Sequence, residues 1–160
     1  MKRLFYILVI FLILIQFFRI DKTNPPINKG MDFIETKNTP EPMANLIRSA
    51  CYDCHSHETR YPWYANVQPL AWLLEKHISD GRTHFNFSTF ATYEPKRQAH
   101  KLYEASELIE SHEMPMESYI IGHPEAKLSD SQRKEIIEYF QSVEASIRQD
   151  HQLSPESSTK

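Results

Sequence analysis

Both cysteines of the 160-residue chain lie in one five-residue stretch, CYDCH, in which a histidine directly follows the second cysteine. On a helical turn, residues three apart share a face, so the thiols of Cys51 and Cys54 would project together and His55 would follow beside them. A disulfide between them would close too short a loop to restrain the unfolded chain. The stretch therefore predicts local chemistry or a bound ligand.

Covalent attachment of haem is the chemistry that this spacing fits best. Two neighbouring thiols can add to the two vinyl groups at one porphyrin edge, while the adjacent imidazole reaches the iron, and CxxCH is the corresponding signal. We therefore predict one haem c per chain, bound covalently through Cys51 and Cys54, with His55 as an axial iron ligand.

Three rival interpretations of the two cysteines are weaker. A redox dithiol would be expected in a βαβ context, whereas the flanking pattern is helical and loop-like. A zinc site with Cys51, Cys54 and His57 would need further ligands at a regular spacing, and the sequence has no second CxxC and no HxxxH. Inert, buried cysteines fit poorly with polar Asp53 and Ser56 beside them.

The second axial position of the iron decides what such a protein can do. Met114 and Met116 lie in the proline-containing EMPM loop, where a thioether can be held at the iron with little loss of entropy. Met114 is favoured because Pro115 directly follows it and restricts its backbone, and Met116 is the alternative. His112 and His123 flank the same loop and would give bis-histidine ligation.

The elements that must position these residues are helices. Apolar residues recur at helical spacing in segments that begin near Pro42, Pro69, Pro95 and Ser129. We expect the second of these helices to stop at Gly81 and the last to open with a capping box of Ser129 and Gln132. Irregular aromatic or proline-rich loops separate the helices. The pattern predicts a small, mainly α-helical domain over residues 41–150.

A hydrophobic segment precedes this domain. Lys2 and Arg3 are followed by an apolar run, Leu4 to Phe18, that only Gln16 interrupts. Its length lies between a signal-peptide core and a full membrane span. We predict that residues 1–20 are a membrane anchor or signal segment, with an uncleaved anchor favoured because bulky residues follow the run. The leading basic residues favour an outward-facing domain.

The remaining segments and the composition set further limits. Residues 21–40 contain three prolines and are predicted to be an extended linker, and residues 151–160 are predicted to be a disordered polar tail. A formal net charge of −3 disfavours a nucleic-acid binder. Three glycines in the whole chain leave no glycine-rich phosphate loop.

Two strings resemble the small bacterial haem-binding domain family of cytochrome c type. They are CYDCHSHETRYPWY and, before the last helix, EMPMESYIIGHPEAKLSD, and the resemblance extends from about residue 21 to 143. It implies a class I cytochrome c-like fold, in which a few helices surround one haem. It also implies attachment at the two cysteines, iron ligation by His55 and a distal methionine at Met114. This chain departs from the commoner pattern by placing Met116 after the proline.

Further residues are candidates for contact with the cofactor. Trp63 and Trp72 are expected to line the haem edge or donate to a propionate, although aromatic residues in a small domain are also core residues. Arg60 and Arg82 could pair with propionates as bidentate donors.

Together these features predict a membrane-tethered monohaem c-type cytochrome of the bacterial inner membrane, with its monomeric domain on the periplasmic or outer side. Single-electron transfer to a redox partner of unspecified identity is the expected task, because no constellation of acid, base and nucleophile points to an enzyme. The alternative is a haem-based sensor or binder of gas or peroxide, in which the distal ligand is labile. A peroxidase is disfavoured because the chain has one CxxCH.

Overall fold

The computed structural model describes residues 1–155, which are mainly helical and contain no β-strand, as the sequence predicts. The α-helices are α1 (Lys2–Ile15), α2 (Phe33–Thr36), α3 (Glu41–Ile47), α4 (Asp53–His55), α5 (Leu70–His84), α6 (Pro95–Glu110), α7 (Glu117–Ile120) and α8 (Asp130–Asp150). A π-helical turn, Arg48–Tyr52, joins α3 to α4, and 3₁₀-helices occupy Lys29–Met31, Trp63–Asn66, Phe87–Thr92 and Pro124–Ala126.

Helices α6 and α8 pack against each other and form the largest helix pair of the core. Leu102 of α6 and Ile136 of α8 are fully buried. The predicted capping box opens α8: the Ser129 hydroxyl accepts from the Gln132 N–H at 3.2 Å, and the Gln132 side-chain oxygen accepts from the Ser129 N–H at 2.9 Å. Both bonds satisfy N–H groups that would otherwise lack partners in the first turn.

The predicted extended linker differs from the structure in its second half, which folds as part of the domain. Lys29–Met31 and α2 are helical, and Phe33 is completely buried among aromatic rings, with Phe90 at 4.9 Å between ring centroids. Asp32 caps α2 by accepting from the Ile34 N–H at 2.9 Å. Burial of this phenylalanine outweighs the irregular, proline-rich sequence around it.

Helix α5 extends beyond its predicted end at Gly81 and reaches His84. Gly81 lies inside the helix because α4 approaches it closely: a Cβ at this position would lie 2.7 Å from the carbonyl oxygen of Cys54. The glycine is therefore needed for the contact between the two helices rather than for helix termination. This contact places the attachment motif directly against α5.

The predicted N-terminal hydrophobic helix is present as α1, but it ends at Ile15. The side chain of Gln16 then exchanges two hydrogen bonds with the backbone of Gln68, at 3.0 and 3.1 Å. In residues 1–155, no helix has both the length and the apolar character to cross a membrane, so the predicted transmembrane helix is not found there.

The predicted tail is described only in part. Helix α8 ends at Asp150, and a turn at His151 and Gln152 follows it. Residues 156–160 of the predicted disordered tail lie outside the described residues.

Candidate cofactor site

A cavity of about 520 Å³ lies against the attachment motif. Cys51, Cys54 and His55 all line it, so the structure brings the three predicted residues together on one wall. The volume is in the range of pockets that hold small molecules and cofactors. Its apolar walls include the side chains of Phe85, Phe87, Leu128 and Phe140.

The two cysteines are free thiols that face this apolar space. Burial raises the pKa of Cys51 to about 12 and that of Cys54 to about 11, and the neighbouring Asp53 charge contributes to the rise at Cys54. Both side chains are therefore protonated thiols near neutral pH. A redox dithiol requires a thiolate stabilised by its surroundings, so this environment argues against that interpretation.

The backbone carbonyl of Phe85 orients the ring of His55. Its Nδ1–H donates to the carbonyl of Phe85 at 2.8 Å, which leaves Nε2 as the ring nitrogen free to bind a metal. Burial lowers the pKa of His55, and the neutral imidazole is the form that ligates metals. A hydrogen bond from the other ring nitrogen is the usual way in which proteins orient a ligating histidine.

Both candidate methionines line the same cavity as the motif. Met114 packs against the main core, its N–H donates to the Leu108 carbonyl at 3.0 Å, and its carbonyl accepts from the Arg133 guanidinium at 2.8 Å. Met116 is the N-cap of α7, and its carbonyl accepts from the Tyr119 N–H at 3.0 Å. The EMPM loop therefore presents two thioethers, and of the two residues Met114 packs against the main core.

The histidine alternatives do not line the cavity. His112 is exposed, with a left-handed φ of 64°. His123 is buried, but its Nε2 lies 2.9 Å from the Tyr64 hydroxyl and its Nδ1 lies 3.3 Å from a Glu125 carboxylate oxygen. Both ring nitrogens of His123 thus have protein partners.

The two tryptophans also lie elsewhere, contrary to the sequence-based expectation. Trp63 is 77% exposed, and the Trp72 indole N–H donates to the Phe18 carbonyl at 3.0 Å. Large aromatic residues near the motif do not indicate the cavity lining here, because Trp63 is largely exposed and Trp72 bonds to the backbone just after α1. The cavity is lined instead by phenylalanines of the segment after α5.

The arginines have structural partners rather than free guanidinium groups. The Arg60 Nε lies 3.4 Å from Asp53. Arg82 donates to the Ser56 carbonyl, to the Asn24 side chain at 2.8 Å and to the Thr59 hydroxyl at 3.0 Å. Arg82 therefore ties the segment after the motif to the chain that precedes the domain.

Sequence reasoning missed the polar residues that line the cavity between α5 and α6. His77, Asp80 and His84 come from α5, whereas Lys101 and Glu104 come from α6 and pair with each other at 2.6 Å. The helical spacing of the α5 residues was a usable signal. In residues 1–155, no group of three or more His, Cys, Asp or Glu residues is placed to hold a metal ion.

Comparison with known proteins agrees with the cavity's chemistry. A family model described as a haem-binding domain matches residues 10–142, which is most of the chain. No curated protein and no solved structure matches the chain. The chain therefore belongs to the haem-binding domain family, and haem is its cofactor.

Proposed function

We propose that the protein is a monohaem c-type cytochrome that transfers single electrons. In this proposal one haem is bound covalently by Cys51 and Cys54, and His55 is an axial ligand. The observation that carries the proposal is that one apolar cavity is lined by both thiols, by the oriented imidazole and by two loop methionines. A class I cytochrome c-like arrangement fits the helices that surround this cavity.

The residues of the cavity fit a haem in three respects. The thiols share one wall, the imidazole is neutral with Nε2 free, and the remaining walls are apolar enough to accept a porphyrin. The iron of a bound haem supplies one-electron chemistry, while the protein tunes its potential by ligand identity and burial.

The chain's own residues then have defined tasks. The Phe85 carbonyl holds His55 in one tautomer. Phe87 and Phe140 present apolar surface to the cavity and would shield a bound haem from water, which is one of the factors that tune its potential. Met114 is the proposed distal ligand because it packs against the main core and the Arg133 guanidinium bonds to its carbonyl, and Met116 is the alternative. Protein contacts on both sides of a bound haem would keep the structural change between its oxidation states small.

We also propose that the N-terminal segment directs the protein to the bacterial inner membrane and tethers it there, with the domain on the outer side. Basic Lys2 and Arg3 are the first residues of α1, whose apolar side chains are mostly exposed. Attachment of haem to CxxCH takes place on that side of the membrane. The domain would act there as a monomeric electron carrier rather than as an enzyme.

A second candidate function is a sensor or binder of gas or peroxide. The observation that favours it is that both loop methionines are only half-buried, so a distal methionine could leave the iron to an external ligand. The two functions share the haem and its attachment and differ at the sixth coordination position.

Replacing both Cys51 and Cys54 by serine tests the attachment. The exported wild-type protein should carry haem through denaturing electrophoresis, seen by haem-dependent staining, and the double variant should carry none. Ser49→Ala, in the same turn, is the control and should retain haem. Stained haem on the double variant would contradict covalent attachment through these thiols.

Carbon monoxide distinguishes electron transfer from sensing. A reduced iron with a stable methionine ligand should resist carbon monoxide at neutral pH, and the reduced spectrum should change little on exposure. Rapid and complete binding by the wild-type protein would favour the sensor over the electron carrier.

A further inference from the structure

Asp53, at the centre of the attachment motif, has a carboxylate that points into the protein. It is 6% exposed. One oxygen, Oδ1, accepts from the Arg60 N–H at 3.0 Å, and the other, Oδ2, accepts from the hydroxyl of Tyr119 at 2.7 Å. A buried carboxylate is costly without such partners, so both hydrogen bonds are part of the fold of the motif.

Tyr119 belongs to the segment that carries the candidate distal ligands. It lies in α7, which begins directly after Met116, and its N–H donates to the Met116 carbonyl. Its side chain also lines the cavity. Burial and the nearby Asp53 charge raise the pKa of Tyr119, so the phenol stays protonated and remains the donor.

The hydrogen bond therefore joins two parts of the chain that are 66 residues apart, the attachment turn and the distal loop. The Tyr119 ring is backed by a stacked contact with His123, at 4.2 Å between ring centroids and 12° between planes. His123 is in turn fixed by the Tyr64 hydroxyl at 2.9 Å. The donor is thus held in place from its far side, and hydrogen bonds to a carboxylate are among the stronger ones in proteins.

We propose that Tyr119 is a positioning residue whose hydrogen bond to Asp53 holds the Met114–Met116 loop closed over the cavity. In doing so it sets how readily an external ligand replaces the distal methionine. This inference rests on the proposed haem attachment in the same cavity.

Tyr119→Phe removes the hydroxyl and leaves the ring. Asp53 keeps its bonds to Arg60, so the variant should fold and attach haem. The matched control is Tyr139→Phe, which removes a half-buried hydroxyl that donates to Thr39 at 2.8 Å and does not line the cavity. Asp53→Asn, which keeps a weaker acceptor, should have a smaller effect than Tyr119→Phe.

Two measurements test the proposal on the full-length protein. The amide hydrogen-exchange rates of residues 114–121 should rise roughly tenfold in Tyr119→Phe, because the loop opens more often once it loses a hydrogen bond to a carboxylate. Carbon monoxide should bind the reduced variant about tenfold faster than wild type, by the same reasoning. Tyr139→Phe should change neither quantity.

Unchanged exchange and unchanged carbon monoxide binding in Tyr119→Phe, with haem still attached, would overturn the role of Tyr119 and leave the proposed function intact. A wild-type protein that already binds carbon monoxide rapidly would also overturn it, because the loop would then not be closed. Absence of covalent haem in the wild-type protein would instead contradict the proposed function, and with it the inference.

Discussion

The attachment turn and the distal loop line the same cavity, but the turn is the more firmly held of the two. Around the turn, Thr59 donates to the Asp53 carbonyl at 2.6 Å, and Arg82 donates to the Ser56 carbonyl at 2.8 Å. Gly81 adds a direct contact between helices.

The distal loop has fewer anchors from outside its own segment. The guanidinium of Arg133 donates to the Ile109 and Met114 carbonyls, and Tyr119 reaches Asp53. Both methionines remain half-buried. The comparison indicates a firmly held attachment turn and a distal loop whose position depends on a few side chains, so the proposed electron transfer and the alternative of ligand binding would be distinguished at the loop.

The largest effect is expected from His55→Ala, which removes the oriented imidazole from the proximal side. The variant should lose the low-spin spectrum of a histidine-ligated iron, because it lacks the imidazole that the Phe85 carbonyl orients beside the two thiols. Optical spectra of the oxidised and reduced protein measure this. His57→Ala, whose ring bonds to the Pro26 carbonyl outside the cavity, should keep the wild-type spectrum; an unchanged spectrum in His55→Ala would reject its role.

On the distal side, Met114→Ala should remove the methionine-to-iron absorption band and leave haem covalently attached, because both attachment thiols are unchanged. Met116→Ala is the matched comparison, since it truncates the second thioether of the same loop and should retain the band. Loss of the band in Met116→Ala alone would transfer the ligand to that residue. Retention in both single variants would show that neither is required.

Gly81→Ala tests the contact that holds the attachment turn against α5. The added Cβ would meet the Cys54 carbonyl oxygen at 2.7 Å, so a helix must shift, at a cost of about 1–3 kcal/mol in the free energy of unfolding. Denaturant titration of the haem-loaded protein measures it.

Gly122→Ala is the control, because its Cβ would lie 3.6 Å from the nearest atom, in the Tyr64 ring. Its effect should stay within about 0.5 kcal/mol. Equal stabilities of the two alanine variants would show that α4 does not depend on this close approach.

The smallest effect is expected from Arg133→Ala, which leaves the Ile109 carbonyl of α6 and the Met114 carbonyl of the loop without their guanidinium donor. The free energy of unfolding should fall by about 1 kcal/mol, and the methionine-to-iron band should weaken because Met114 loses an anchor. Lys134→Ala removes an exposed pair with Glu138 at 3.7 Å and should cost almost nothing. A wild-type band and stability in Arg133→Ala would mean that the loop is held by other contacts.

The features that could be predicted from the sequence are local ones. The CxxCH spacing, the capping box at Ser129 and the EMPM loop each act over a few residues, and the structure brings the motif and both methionines to one cavity.

Contacts between distant segments could not be predicted in the same way. The sequence predicts that Gly81 ends a helix, but the glycine is needed because the Cys54 backbone lies too close for a side chain. The sequence around Phe33 predicts a linker, because the aromatic rings that bury Phe33 lie far along the chain. Trp63 and Trp72 lie outside the cavity. Bonds from Gln68 and Trp72 to residues 16–18, just after α1, place this part of the chain away from it.

Extraction of the exported full-length protein with acidified acetone, followed by an optical spectrum of both phases, tests covalent attachment at this cavity most directly. The account predicts that the haem absorption stays with the protein. It also predicts that the unextracted, oxidised protein shows a methionine-to-iron band. Haem that passes entirely into the acetone phase would contradict the account.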